Sequence, residues 1–292
     1  MSTSLFRLLF IIFISAMAGC STWSTVDDRQ AQQVPQQPQM PYPPSRALVV
    51  GDIMHMRTGF FVSEDEMLAA ATDARIVYLG ETHNNMASHH LQLKVLKAMA
   101  DRWSGQVALG MEMFIPDQQE ALDRWIAGDF SEAEFLKASR WKELWHLDFD
   151  YYKPLLQFAR DNGIPVIGIN APKSLVHAVA RKDFSELTEE QRRQLPDIDM
   201  NAPYRDALSR AVYGGHAKGS NGLEGFTRVQ ALWDESMAEN AVRYLNSPDG
   251  QDRRMVVVAG GNHIRYGFGI PRAVFRRLPA SYVLIGTRAI VI

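Results

Sequence analysis

The sequence predicts an α/β domain with a largely parallel central sheet flanked by helices and an inserted helical subdomain, and three observations predict it. From Ala47 onward, short β-rich apolar runs alternate with amphipathic helical stretches, the pattern of a sheet covered by helices. The runs are hydrophobic almost continuously rather than at every second position, which marks strands buried on both faces and therefore paired in parallel. Finally, the stretch between the strands ending near 170 and beginning near 255 is far longer than one crossover helix requires. A helical insertion is therefore expected at about 173–250.

Taken in chain order, Ala47–Val62, with a turn at Thr58-Gly59, reads as a small hairpin leading into the domain. Core strands are expected over 74–80 (Ala-Arg-Ile-Val-Tyr-Leu-Gly), 106–112 (Gln-Val-Ala-Leu-Gly-Met-Glu), 164–170 (Ile-Pro-Val-Ile-Gly-Ile-Asn) and 255–260 (Met-Val-Val-Val-Ala-Gly), with a last one over 281–291. Helices are expected at 86–102, 117–127, 131–139, 150–162, 173–182 and 225–246. The last is the clearest, because Phe226, Val229, Trp233, Met237, Ala241 and Tyr244 fall on one core-facing stripe at helical spacing. Trp141, Leu144, Trp145 and Phe149 form a second stripe, to be buried or dimer-forming. No internal repeat is seen.

With 292 residues, 46% hydrophobic and 22% charged, the chain has room for a sizeable core. Its 33 acidic and 31 basic side chains give a net charge of -2, so bulk attraction to a nucleic-acid backbone is not expected. Arg253-Arg254 and Arg276-Arg277 are too short to make a basic patch. The single cysteine excludes an intrachain disulfide framework and a cysteine-based zinc cage.

That cysteine, Cys20, closes an N-terminal address. A lone positive charge at Arg7 precedes the apolar run Leu8–Ile14, much shorter than the roughly 20 residues of a membrane-spanning helix, and the small residues Ala16-Met17-Ala18-Gly19 follow. The segment reads as an export signal and resembles a bacterial lipobox, with Met17 where leucine is more usual. The resemblance implies a signal peptide over 1–19 and Cys20 as the palmitate-bearing first residue of the mature protein. The alternative is an ordinary cleaved signal with an incidental cysteine. Residues 20–46 form a Gln/Pro-rich tether, as in Gln36-Gln37-Pro38-Gln39, that cannot bury a core and extends up to ~3.1 Å per residue. The domain proper is 47–292. In the lipoprotein families this resembles, Ser21 rather than Asp after the cysteine implies the outer membrane, with the domain facing the periplasm.

Function is to be sought where polar residues follow the strands, since open parallel sheets form ligand sites at the strands' carboxyl ends. Those ends carry Gly80-Glu81-Thr82-His83, Glu112, Asn170-Ala171-Pro172 and Gly260-Gly261-Asn262-His263. Glu81, His83, Glu112 and His263 make a plausible divalent-metal set, because nitrogen and oxygen donors suit Zn, Mn, Fe or Co and a spare carboxylate can act as base toward metal-bound water. Each alone reads more simply as a hydrogen-bonded loop residue, and it is four of them on three strand ends that point to a functional cleft. Of His89-His90, adjacent on a helix and so pointing apart, at most one lines the same cleft.

Together with Gly110-Met111-Glu112-Met113-Phe114, Gly168-Ile169-Asn170-Ala171-Pro172, the run Gln230–Ala238 and Gly261-Asn262-His263-Ile264-Arg265-Tyr266-Gly267, the Gly80-Glu81-Thr82-His83 motif resembles that of the ChaN-type haem-binding lipoproteins. These share a superfamily with the Tiki proteins and the erythromycin-esterase-like hydrolases. The resemblance runs from about 47 to 292 and preserves motif order. It implies a haem-binding outer-membrane lipoprotein of haem and iron acquisition, with cofacial haems held between two subunits of a homodimer, a tyrosine on each iron and a histidine near the propionates. A haem-uptake receptor or a periplasmic transporter would be its partner. A phenolate is a hard ligand that favours ferric iron and leaves it exchangeable. Tyr204 is the first candidate, opening a helix in the insertion with Arg205 as a basic neighbour able to favour phenolate. Tyr213 is the second, in the glycine-loosened Tyr213-Gly214-Gly215-His216, where His216 could reach a propionate. Tyr151 and Tyr152 read more simply as packing at a helix start. The hydrolase branches of the superfamily imply the alternative, a divalent-metal-dependent esterase- or protease-like enzyme using His83, Glu112 and His263 with Glu81 as ligand or base.

Overall fold

The five expected apolar runs pair into one sheet. A computed structural model describes residues 44–216 and 222–288, so the signal peptide, Cys20, the tether to residue 43 and the end of the expected last strand lie outside the described residues. The chain enters through the expected hairpin, β1 (Ile53–His55) antiparallel to β2 (Phe60–Val62), whose turn uses Gly59 at φ 72°. The sheet comprises β3 (Ile76–Glu81), β4 (Val107–Met111), β5 (Val166–Gly168), β6 (Arg254–Gly260) and β7 (Tyr282–Gly286), in the order β5-β4-β6-β3-β7. Every neighbouring pair is parallel.

Twelve helices accompany it among the described residues: α1 (Glu64–Asp73), α2 (Met86–Arg102), α3 (Gln119–Ile126), α4 (Glu132–Ala138), α5 (Trp141–Leu144), α6 (Lys153–Asp161), α7 (Lys173–Arg181), α8 (Glu189–Arg193), α9 (Arg205–His216), α10 (Gly222–Leu245), α11 (Gly261–Ile264) and α12 (Ile270–Arg277). Both faces of the sheet are covered, which is why its strands lack alternation. Val77, Leu79, Leu109, Val256 and Val258 pack with Val95, Leu96 and Met99 of α2 and Leu155 and Leu156 of α6. Ile76, Tyr78, Met255 and Val257 face Met237, Ala241 and Leu245 of α10 and Val274 of α12. Full burial of each such side chain contributes roughly 1.5–3 kcal/mol relative to exposure.

The helical segment between β5 and β6 has its own small core, in which Leu175, Val179 and Leu187 meet Val229 and Leu232. It is tied to the sheet by α10, 24 residues long, whose first half belongs to that core and whose second half lies on the sheet. The expected stripe of α10 is thus core, and so are Trp141 and Phe149 of the second stripe, which pack against Phe135 while Leu144 and Trp145 stay half-buried. The strand expected over 164–170 contracts to 166–168, since Pro165 has no N–H to offer and the Asn170 N–H turns away to the Phe114 carbonyl. The last strand stops at Gly286.

Candidate functional site

β3 and β6 are neighbours, yet the chain leaves β3 toward α2 on one face and β6 toward α12 on the other. The chain segments that leave their carboxyl ends therefore part and leave a crevice just beyond the last pair, Glu81 and Gly260. Glu81, the last residue of β3, points into it fully buried and satisfied on both oxygens. Oε1 accepts from the Tyr152 hydroxyl at 2.7 Å and lies 2.7 Å from His83 Nδ1; Oε2 accepts from Gln92 Nε2 at 2.5 Å. Burial alone would raise its pKa, but the hydrogen bonds from His83, Tyr152 and Gln92 outweigh it and hold the carboxyl below its ordinary value. The Tyr152 phenol is pushed far up by burial and by Glu81, so it remains a donor.

His83 stands at the mouth, its side chain 39% exposed, with its ring edge-on to Trp145 at 5.0 Å. Burial works against its protonation, and the bond to Glu81 with the fields of Glu112 and Glu81 overcomes that, leaving its pKa raised. Of the helix pair, His89 is the buried one, as the spacing requires, and its Nε2 lies 3.0 Å from the His83 carbonyl and its Nδ1 3.2 Å from Gln92 Oε1.

Glu112 follows β4. Its Oε2 accepts the Gly260 N–H at 2.6 Å, and Asn170 Nδ2 donates to its carbonyl at 2.8 Å. Gly260 permits the close approach of the His83 ring, because a Cβ on it would stand 3.1 Å from His83 Cε1, tighter than an ordinary contact, and 3.5 Å from Glu112 Oε2. His263, on α11, lies with Nε2 3.7 Å from Glu112 Oε1 and Nδ1 2.7 Å from Asp234 Oδ1 of α10. Burial opposes its charge, but Glu112 and Asp234 prevail and raise its pKa to about 9. Burial likewise pushes the Asp234 carboxyl up against the pull of His263 and Arg205.

The four residues expected at the strand ends are thus brought together, as two histidine–carboxylate systems facing each other across Gly260. Among the described residues no group of three or more His, Cys, Asp or Glu is placed to hold a metal; each imidazole turns its Nδ1 to a carboxylate, His83 to Glu81 and His263 to Asp234. Asp234 was visible only as part of the Gln230–Ala238 motif. Tyr152, read as packing, is buried as such a residue should be, but its hydroxyl also serves the site. Gln92 and Trp145 carried no signal of their own.

A second feature adjoins Asp234. Between α9, α10 and the segment after α11 lies an open cleft walled by Ala202, Pro203, Leu208, Val212 and Phe268. Tyr204 stands beside it just before α9, 65% exposed, in the left-handed region at φ 63°, with its ring 4.8 Å from that of Phe268. Arg205, expected to favour its phenolate, turns inward instead and pairs with Asp234 and Glu235, because those buried acids need a cation more than a solvated phenol does. Tyr213 is half-buried, its ring 5.5 Å from Phe226. Its segment is not loosened by glycine: α9 runs through Gly214 and Gly215 to His216, whose side chain lies outside the described residues. Tyr266, not singled out from sequence, is exposed near Phe268 at φ 56°.

Comparison with known proteins places the chain in a family. The family model described as haem-binding uptake, Tiki superfamily, ChaN, matches residues 67–274. The chain is 26% identical over 246 residues to the chloroplastic protein RETICULATA-RELATED 5 of Arabidopsis thaliana, a match covering 73% of this chain and 31% of that protein. It therefore spans about a third of that curated relative. Among solved structures it resembles that of cofacial heme binding to ChaN of Campylobacter jejuni, with TM-score 0.66, 16% identity and coverage of 82% of this chain and 92% of the other. An erythromycin esterase, EreC, in its open conformation aligns with TM-score 0.46 and 13% identity over 76% of this chain and 72% of its own. With most of its length matched by the family model, from α1 through α12, the chain belongs to the ChaN haem-binding uptake family of the Tiki superfamily.

Proposed function

We propose that this chain binds haem during iron acquisition, as an outer-membrane lipoprotein anchored through Cys20, with a tyrosine on the iron and a second copy of the chain closing the site. Family membership supports haem as the ligand. The observation that carries the reading is Tyr204, an exposed phenol beside an open, apolar-walled cleft, with the Phe268 ring against its own. Haem asks for flat apolar walls, an axial ligand and cations for its propionates; the cleft supplies the walls, Tyr204 the oxygen, and Arg205 and Arg265 the cations. Ferric iron, when bound, supplies a hard acid matched to phenolate and releasable to a receptor or periplasmic transporter. A ligand bound at so exposed a phenol leaves an apolar face in water, which a second subunit would cover. Tyr213 and His216 remain on the same helix as the alternative ligand and propionate partner.

Ferric hemin titrated into residues 21–292 is expected to bind saturably with a tyrosinate-type high-spin spectrum and to shift the protein from monomer to dimer on sizing chromatography. Tyr204→Phe should abolish that spectrum. Full affinity and an unchanged spectrum in the Tyr204→Phe, Tyr213→Phe double variant would remove tyrosine from the iron.

A second reading, hydrolysis of an ester or peptide bond, is favoured by the two histidine–carboxylate systems meeting across Gly260. Glu81 fixes the proton of His83 on Nδ1 and leaves Nε2 as acceptor for a proton from water, without a metal. Turnover of such a substrate that vanishes in His83→Ala and survives metal chelation would support it; turnover indifferent to His83 would end it.

A further inference from the structure

The cleft beside Tyr204 contains a donor with nothing to donate to. Arg205 lines it with its side chain 92% buried (8% exposed), and while its Nη atoms reach the Asp199 carbonyl at 3.0 Å, Glu235 at 3.7 Å and Asp234 at 3.9 Å, its Nε has no hydrogen-bond partner. Leaving a charged, buried N–H unmade is costly, so such groups mark where something else is to bind. The rest of the polar lining agrees with an acidic guest. Ser209, Gln230 and Asn262 offer neutral donors, Arg265 adds a second cation on an exposed position, and the opposing carboxylate, Asp234, is engaged by His263. Arg205 is shared between Asp234 and Glu235, but both acids have other cations, His263 for Asp234 and Arg276 and Arg277 for Glu235. The apolar wall of Leu208, Val212 and Phe268 excludes a small hydrated anion in favour of an amphipathic one.

We infer that this cleft is a carboxylate-binding subsite, in which Arg205 Nε, with Arg265 beside it, receives an acid group borne on a flat apolar ligand. The inference rests on the haem reading, where that group is a propionate of haem held by the same chain that carries Tyr204. Arginine is suited to the task, since its planar fork holds two acids through the Nη atoms and still presents Nε to a third.

The test varies the ligand before the protein. Hemin and hemin dimethyl ester, whose propionates cannot ionise, are titrated into the full chain in the same detergent and followed by absorbance. The ester is expected to bind about tenfold or more weakly, the loss of one charge-assisted hydrogen bond, while keeping the spectrum of the hemin complex. In Arg265→Ala and Arg205→Lys hemin should weaken toward the ester and the ester should change little, so that the gap between them closes. Because Arg205 also pairs with two buried acids, thermal unfolding identifies a variant that has merely failed to fold, and the wild-type comparison and Arg265→Ala decide the matter without it. Equal affinity of wild type for hemin and its ester, or a gap of unchanged size in Arg265→Ala and folded Arg205→Lys, overturns the subsite and leaves the haem reading standing. Binding of neither ligand overturns both.

Discussion

His263 shows how one residue couples the site to stability. Its imidazole sits between Asp234 and Glu112, out of water, and its pKa is raised from 6.5 to about 9. A group whose pKa is higher folded than unfolded stabilises the fold fully below its ordinary value, and that contribution fades as pH rises through the folded value. At ~1.4 kcal/mol for each tenfold change in the protonation equilibrium, the effect is a few kcal/mol. Resistance to urea is therefore expected to fall between pH 7 and pH 9.5 in wild type and to fall much less in His263→Gln; parallel profiles for the two would place the source of the pH dependence elsewhere. The sequence revealed this histidine because it follows a strand and a glycine pair. It did not reveal the partner, because Asp234 lies on a helix whose other positions spell a core stripe, and the one-letter pattern cannot say which polar residue of α10 turns toward β6.

At the scale of elements, the segment from Asp197 to Tyr204 is held without secondary structure of its own. Glu235, buried on α10, accepts from Arg277 at 2.5 Å, from Arg276 at 3.0 Å and from the Asp199 N–H at 3.2 Å, and pairs with Arg205. Arg276 and Arg277 of α12 also donate to the Asp197 carbonyl, and Arg272 to the Asp199 carboxylate. The loop that ends on Tyr204 is thereby nailed between two helices. Removing one partner of a buried ionic cluster strands the others, so Glu235→Ala is expected to cost about 3–5 kcal/mol in denaturant unfolding. Glu239→Ala breaks the exposed pair with Arg243 one turn further along α10 and should cost no more than about 1 kcal/mol. Comparable losses in the two would deny the cluster its role. Arg276-Arg277 reads in the sequence as an ordinary basic pair, since their acids lie 41 and 79 residues away. The same limit explains the helices. The helices α2, α3, α4, α6, α7 and α10 stood out, whereas α1 did not despite its capping box at Ser63 and Glu66, α9 carries two glycines, and α12 opens on Ile270-Pro271 immediately after a turn. The strands were the most legible elements, because burial on both faces leaves β3, β4 and β6 as dense apolar runs that neither turn chemistry nor helical periodicity produces.

Over the whole molecule, the lipoprotein reading proposed above assigns attachment and ligand binding to separate parts of the chain. No helix among the described residues is long and apolar enough to cross a membrane. On that reading the lipobox-like motif offers Cys20 as the acylated residue and the Gln/Pro-rich sequence after it serves as the spacer. The domain's first described element, the hairpin of β1 and β2, contributes no residue to the core clusters on the sheet. Cys20→Ser in the full-length chain is accordingly expected to move the protein from the membrane to the soluble fraction after cell fractionation, while the hemin complex of the released protein keeps the affinity and spectrum of wild type. Continued sedimentation with the membrane would mean that another surface of the domain does the holding. Release accompanied by loss of hemin binding would mean that anchoring and binding are one function, with the bilayer itself arranging the two copies that close the site.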